Sequence, residues 1–226
     1  MQNVSELWTT LWQTEGTEVE YRFTINGTVY GADAEIRHSV EHQLYNEFGI
    51  GNADSAVLNL EIFADDIPKG AKIFRECRLV NGTQASEWIP KGTFYISTRK
   101  EEDGVWSITA YDIMRKADAE WKPAQSEKFP ASMREIVERL RKLIDPNLEL
   151  DERCEISTAY QVDYPANEQT IRQTLKYIAV AHLGNFTITD AGKLLLVPLL
   201  SLPENTGYLV NEHGNPITFG GVRIRV

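Results

Sequence analysis

Val19-Glu20-Tyr21-Arg22-Phe23-Thr24-Ile25-Asn26-Gly27-Thr28-Val29-Tyr30 decides the reading of the first half of the chain. Val19, Tyr21, Phe23 and Ile25 alternate with Glu18, Glu20, Arg22 and Thr24. That period puts one row against a core and the other in water. Asn26-Gly27 follows, and Asn-Gly suits a type I′ turn, which needs φ > 0 at both central residues. The stretch therefore predicts a β-hairpin. Working outward, apolar and alternating runs predict strands over 34–36, 44–48, 56–63, 74–80, 92–98 and 105–112. Asn81-Gly82 and Glu102-Asp103-Gly104 supply turns. Upstream, Leu7, Trp8, Leu11 and Trp12 recur at helical spacing, and the stripe is expected to dock on the parent domain. Short strands at regular spacing predict an antiparallel barrel or sandwich for residues 1–122.

The pattern changes near Trp121. Residues 122–130, with two prolines and mixed charge, read as a linker. Ser132-Met133-Arg134-Glu135 is a capping box, and Met133, Ile136, Val137, Leu140 and Ile144 then share one helical face. Asp145-Pro146 ends that helix. A second helix is predicted over 168–183, burying Ile171, Leu175, Ile178, Ala179 and His182, with Gly184 as its C-terminal cap. Residues 185–199 read as a hairpin turning at Asp190-Ala191-Gly192. The fold class is α+β, mainly β: a tube-like antiparallel barrel or sandwich over 1–122, a small helix-plus-hairpin α+β unit over 123–210, and a strand over 211–226. Val222-Arg223-Ile224-Arg225-Val226 alternates to the last residue, so this strand either pairs with the earlier sheet or belongs to a longer protein.

Composition narrows the function. The 226 residues carry 33 acidic and 23 basic side chains, a formal charge of −10, with 42% hydrophobic and 25% charged residues. The basic residues are scattered, so no nucleic-acid groove is expected. No window approaches the roughly 18 apolar residues of a membrane span. Glu6 among the first residues, without a basic leader, does not read as a signal peptide. Cys77 and Cys154 are expected as reduced, partly buried thiols, not as a disulfide framework.

No constellation for catalysis emerges. His38 and His42 lie four apart near Asp33, Glu35 and Glu41, a spacing that binds zinc on a helix, but the segment has strand character and H-E-x-x-H is absent. His182 reads as a satisfied core histidine and His213 as a turn residue. No G-x-S-x-G elbow occurs, and Cys77 has no histidine placed beside it. Asp65-Asp66 and Glu101-Glu102-Asp103 read as solvated loop charge. Ile-Pro-Lys-Gly occurs twice, at 67–70 and 89–92, and predicts two similar turns leading into strands; the G-x-x-x-x-G-K-[ST] phosphate loop is absent. Trp8, Trp12, Trp88, Trp106 and Trp121 are candidates for core or interface. Neither catalytic, cofactor-binding nor metal-binding residues are assigned.

Gly49-Ile50-Gly51-Asn52-Ala53, preceded by Leu44 to Phe48 and followed by the strand 56–63, resembles a phrase of tail-tip proteins from phages and prophages of Gram-positive hosts. Gly92-Thr93-Phe94-Tyr95-Ile96-Ser97, Ala110-Tyr111-Asp112, the helix 172–183 and Gly184-Asn185-Phe186 resemble later phrases of the same family, in the same order. The family includes baseplate hubs of contractile tails and tail-associated proteins of flexible tails. The resemblance implies a non-enzymatic structural subunit of the virion tail, made in the bacterial cytoplasm. It implies a homo-trimer of tube-like barrels between the tail tube and the host-contacting parts, with tail tube, distal tail or tape-measure protein and fibres as partners. It implies no cofactor. The chain departs from the family's full pattern by stopping at residue 226, so a second barrel and any C-terminal appendage are expected to be missing from it. The acidic balance suits an electronegative lumen for DNA passage. The alternatives are a cell-wall-degrading tail enzyme, marked by carboxylates about 5–9 Å apart, and a carbohydrate- or receptor-binding module, marked by a row of exposed aromatics.

Overall fold

Period-two alternation becomes one large antiparallel sheet in the computed structural model, which describes residues 4–42, 44, 49–124, 126–164, 168–199, 218–219 and 222–223. After helix α1 (Glu6–Trp12) come β1 (Glu18–Ile25), β2 (Thr28–Tyr30), β3 (Glu35–Glu41), β4 (Val57–Phe63), β5 (Lys72–Asn81), β6 (Gln84–Ala85), β7 (Ile89–Glu102) and β8 (Val105–Tyr111). Their order is β2-β1-β5-β7-β8-β4-β3, with β6 on β5, and every pairing is antiparallel. No pairing among the described residues joins β3 to β1 or β2, so the sheet is open and not a closed barrel.

Turn chemistry sets the register. Ile25 pairs with Thr28 around Asn26 and Gly27, at φ 49° and 86°, the geometry that Asn-Gly predicts. Glu102 pairs with Val105 around Asp103 and Gly104, at φ 54° and 79°. At 81–84 the turn sits one residue later than Asn-Gly suggests: Asn81 pairs with Gln84, and Gly82 (φ 59°) is the first central residue. The two Ile-Pro-Lys-Gly copies diverge. The first makes a turn after buried Ile67. The second lies inside β7, where the register against β5 shifts between Phe74 and Glu76 and Gly92 takes φ 110°. Two similar turns are therefore not what forms, because β5 recruits the second copy into a bulged ladder.

Inward residues of this sheet, among them Phe23, Ile25, Leu58, Leu60, Ile62, Phe94, Ile96 and Ile108, form one core. The docking of α1 is narrower than its stripe suggests. Leu11 is buried, Trp8 half-buried, and Trp12 is 70% exposed, so Trp12 does not dock on the sheet. A seven-residue helix presents only one turn's face to the sheet, and Leu11 takes it.

A second core follows. Asp112 caps a 3-10 helix (Ile113–Asp118), and β9 (Ala131–Ser132), α2 (Met133–Ile144), β10 (Gln161–Val162), α3 (Ile171–Ala181), β11 (Gly184–Ile188) and β12 (Leu194–Pro198) complete the unit. The Ser132–Glu135 capping box forms as predicted; a second one, Thr170 with Gln173, opens α3. This core joins Ile136, Leu140, Leu175, Ile178 and Phe186 to Ala53, Met114 and Trp121 from the preceding chain. Gly184 is not the cap of α3. Leu183 takes the left-handed turn at φ 50°, and Gly184 starts β11, where a β-carbon would lie 2.7 Å from the Val197 carbonyl oxygen. Close strand approach, not helix termination, requires this glycine. Thr218–Phe219 (β13) and Val222–Arg223 (β14) form a short antiparallel ladder. Most of the predicted strand 44–48, the remainder of 211–226 and His213 lie outside the described residues.

Candidate functional site

Two edges of the large sheet lack partners among the described residues. One is the outer side of β3, seven residues long. The other is made by the outer side of the three-residue β2 and the first part of β1, because β2 covers only Phe23 to Ile25. Unpaired N–H and C=O groups along such edges are ready to accept another strand. Ile36 on β3 and Val19 on β1 are 45% and 43% exposed, so each edge also carries an apolar side chain in contact with water. The path β1-β5-β7-β8-β4-β3 contains six strands in strict antiparallel succession, so β3 runs opposite to β1.

The outer face near β3 is polar. Ser39, Asn59, Thr109 and Thr98 form one row across four strands, and Arg37, Glu61, Ser107 and Lys100 form the next. They line a shallow cleft of about 650 Å³. Its cations are engaged: Arg37 pairs with Glu61 at 2.6 Å, Lys100 with Glu102 at 2.7 Å, and Arg99 donates to the Ile67 carbonyl. On β1 and β5 the Trp88 ring lies between the guanidiniums of Arg22 (4.3 Å) and Arg78 (4.6 Å), which pair with Glu76 and Glu20.

The histidines do not converge. A strand places residues four apart on one face about 13 Å from each other, beyond shared ligation. His38 turns inward, whereas His42 is exposed just past β3. The His38 ring meets Tyr21 and Phe23 of β1 edge-on, at 4.4 and 5.2 Å. Its Nδ1 lies 2.5 Å from Glu35 Oε1, and Arg75 Nη2 on β5 lies 3.1 Å from its Nε2. Sequence reading missed this cluster, although Arg75 is a charge within the inward row Ile73, Cys77, Leu79. His182 is half-buried at the end of α3, hydrogen-bonded through Nδ1 to the Ile178 carbonyl, while Nε2 accepts from the Ser157 N–H at 2.9 Å. It is satisfied, as expected, and it ties the helix end to the loop before β10.

Cys77 and Cys154 are buried free thiols, and burial raises both above the ordinary thiol range. Among the described residues no three of His, Cys, Asp and Glu group as metal ligands, and no helix is long and apolar enough to cross a membrane.

Side-chain and backbone hydrogen bonds tie the junction between the two cores together. Asp112 accepts from the Ala56 and Met114 N–H groups, and burial pushes its carboxyl up to about 6 against those bonds. Gly51 and Asn52 pair with β11 through Gly184 and Phe186. Buried Asn185 accepts from the Asn52 N–H at 2.7 Å. Arg172 reaches from α3 to the Ala53 and Met114 carbonyls, to Ser55, and to Asp118 at 2.6 Å.

No protein-family model matches the sequence, and no curated protein matches it. Solved structures do. The chain is similar to the 43 kDa tail protein of prophage MuSo2 from Shewanella oneidensis, with a TM-score of 0.55 and 13% identity over 84% of this chain and 59% of that one. It is similar to the prophage tail protein gp18 of Listeria monocytogenes EGD-e, with a TM-score of 0.51 and 8% identity over 87% of this chain and 64% of that one. A tail protein of Neisseria meningitidis MC58 aligns with a TM-score of 0.49 and 15% identity over 80% of this chain and 51% of that one. The chain thus spans between about half and two thirds of the length of these structures.

Proposed function

Given this shared fold, we propose that the chain is a non-enzymatic structural subunit of a phage-type tail, hub-like within the tail tip, that joins copies of itself edge to edge. The carrying observation is the pair of unpaired edges running in opposite directions. Copies related by rotation about a ring axis keep the same strand direction, so β3 of one copy meets β1 of the next antiparallel, the pairing already used throughout the sheet. The fold shared with two prophage tail proteins supports the tail assignment. Three copies is the number implied by the sequence resemblance. The tail tube, a distal tail or tape-measure protein and fibres are the neighbours it implies. In this reading residues 1–122 make the ring unit, 123–210 sit beside it, and 211–226 return toward a barrel.

Light scattering after size exclusion, over a hundredfold range of concentration, tests the proposal. A discrete closed oligomer is expected, three copies by this reading. A monomer at every concentration overturns edge-to-edge assembly.

A further inference from the structure

We propose that the seam between β1 and β3 is a proton-sensitive latch, closed by a neutral His38 bridging Glu35 to Arg75. A carboxylate only accepts, so the 2.5 Å contact with Glu35 places the ring proton on Nδ1. A guanidinium only donates, so Arg75 at 3.1 Å requires a bare lone pair on Nε2. Only the neutral Nδ1–H tautomer satisfies both neighbours. Nε2 also carries weight for Arg75. The Arg75 Nε is buried without a partner, no carboxylate among the described residues lies within ion-pair reach of this side chain, and its guanidinium packs over the Tyr21 ring at 4.5 Å.

Protonation from solvent turns Nε2 into a donor facing a donor and sets two cations against each other. The half-buried guanidinium then loses its one acceptor in the seam and must turn toward water. In the inward rows of the surrounding strands the other titratable groups are Tyr21 on β1 and Cys77, opposite it on β5, while Arg22 pairs with Glu76 and Arg78 with Glu20 on the other face. On β4 the residue opposite His38 is apolar Leu60, and Glu61 is held by Arg37 on the outer face. Arg99 and Lys100 of β7 share the polar cleft that His38 borders and are bound to other acceptors. Acid therefore acts on the Arg75 contact, and the element it releases is β3, the edge with a single strand partner.

Ring ¹⁵N spectroscopy and amide hydrogen exchange on the intact chain test this. The Nδ1–H tautomer is expected for His38 at pH 8. After division by intrinsic rates, protection of the β3 amides bonded to β4 is expected to fall about tenfold more than that of β8 between pH 8 and pH 5. His38→Gln, which does not titrate, abolishes that difference. Arg75→Met abolishes it too, and carries the test should the glutamine variant fail to fold. An Nε2–H tautomer, equal protection at both pH values, or a pH difference that survives in the folded variants overturns the latch. Both measurements are made at a concentration where light scattering shows a monomer, so that β4 is the one strand partner of β3 and the latch is read apart from the ring.

Discussion

The large sheet and the β11–β12 hairpin treat their edges in opposite ways. In the helix-bearing unit both sides of the β11–β12 hairpin are covered: Gly51 and Asn52 bond to β11, and the chain around Leu150 bonds to β12 through Leu194. In the large sheet the first part of β1 and the whole outer side of β3 have no partner among the described residues. The smaller unit spends backbone groups of its own connecting segments on closure; the larger one keeps its own for something else. Under the proposed function the open edges are the surface that acts between molecules.

Arg172→Met breaks the closed side most severely. It strips donors from the Ala53 and Met114 carbonyls and leaves Asp118 and Asp54 without their guanidinium. A loss of about 3 kcal/mol is expected in urea unfolding, mostly from the two carbonyls and the largely buried guanidinium, since Asp118 itself is exposed. A loss below about 1 kcal/mol implies that apolar packing alone holds the junction.

The Asp112 lock is read by pH. Its folded carboxyl titrates near 6, above the ordinary 3.8, because burial outweighs the two backbone N–H bonds. The folded state thus binds the proton more tightly than the unfolded chain. The stability this gives is fully present below about pH 4 and is lost as pH rises through 6, by up to about 3 kcal/mol. Carboxylates held low oppose it at more acid pH: Arg153 pulls Asp151 down to about 2, and Ser132 lowers Glu135. Unfolding free energy against pH is therefore expected to slope downward between 4 and 6, and Asp112→Asn to flatten that slope. An unchanged slope in the variant removes Asp112 as its source.

Gly51→Ala attacks the covered edge itself. Gly51 sits at φ 87°, and a β-carbon there collides with a Val180 methyl. A loss of about 2 kcal/mol is expected, of which Val180→Ala in the same chain recovers the steric share but not the roughly 1 kcal/mol of backbone strain. Full recovery by the double variant attributes the glycine to space alone.

Much of this architecture was legible beforehand, for identifiable reasons. Asn26-Gly27 and Asp103-Gly104 fix hairpins because backbone sterics leave few alternatives, and the Ser132 capping box is a local device that needs no tertiary context. What failed depends on distant partners. Ile-Pro-Lys-Gly is a turn once and a bulge once because only the second copy lies opposite β5. Gly184 serves a neighbouring strand and not its own helix. The sequence argued against zinc at His38 and His42 but could not show what His38 meets, because Arg75 and Tyr21 reach it only through the sheet. Which strands form the open edges was not legible until strand order was known.

The smallest effect on stability carries the sharpest test of the edges. Ile36 is 45% exposed, on the unpaired side of the sheet, at the shift in register between Glu35 and Arg37. Ile36→Lys removes little buried surface, so the urea midpoint should move by less than about 0.5 kcal/mol in equivalent free energy. A lysine on an edge is nevertheless the device by which isolated sheets refuse further strands. The variant is therefore expected to unfold like the parent yet run as a monomer in light scattering. Leu143→Lys, at a position 54% exposed on α2, is the matched control and should change neither. If Ile36→Lys assembles as the parent does while the control dissociates, the contact between copies lies on the helix-bearing unit, and the contrast between open and closed edges loses its functional meaning.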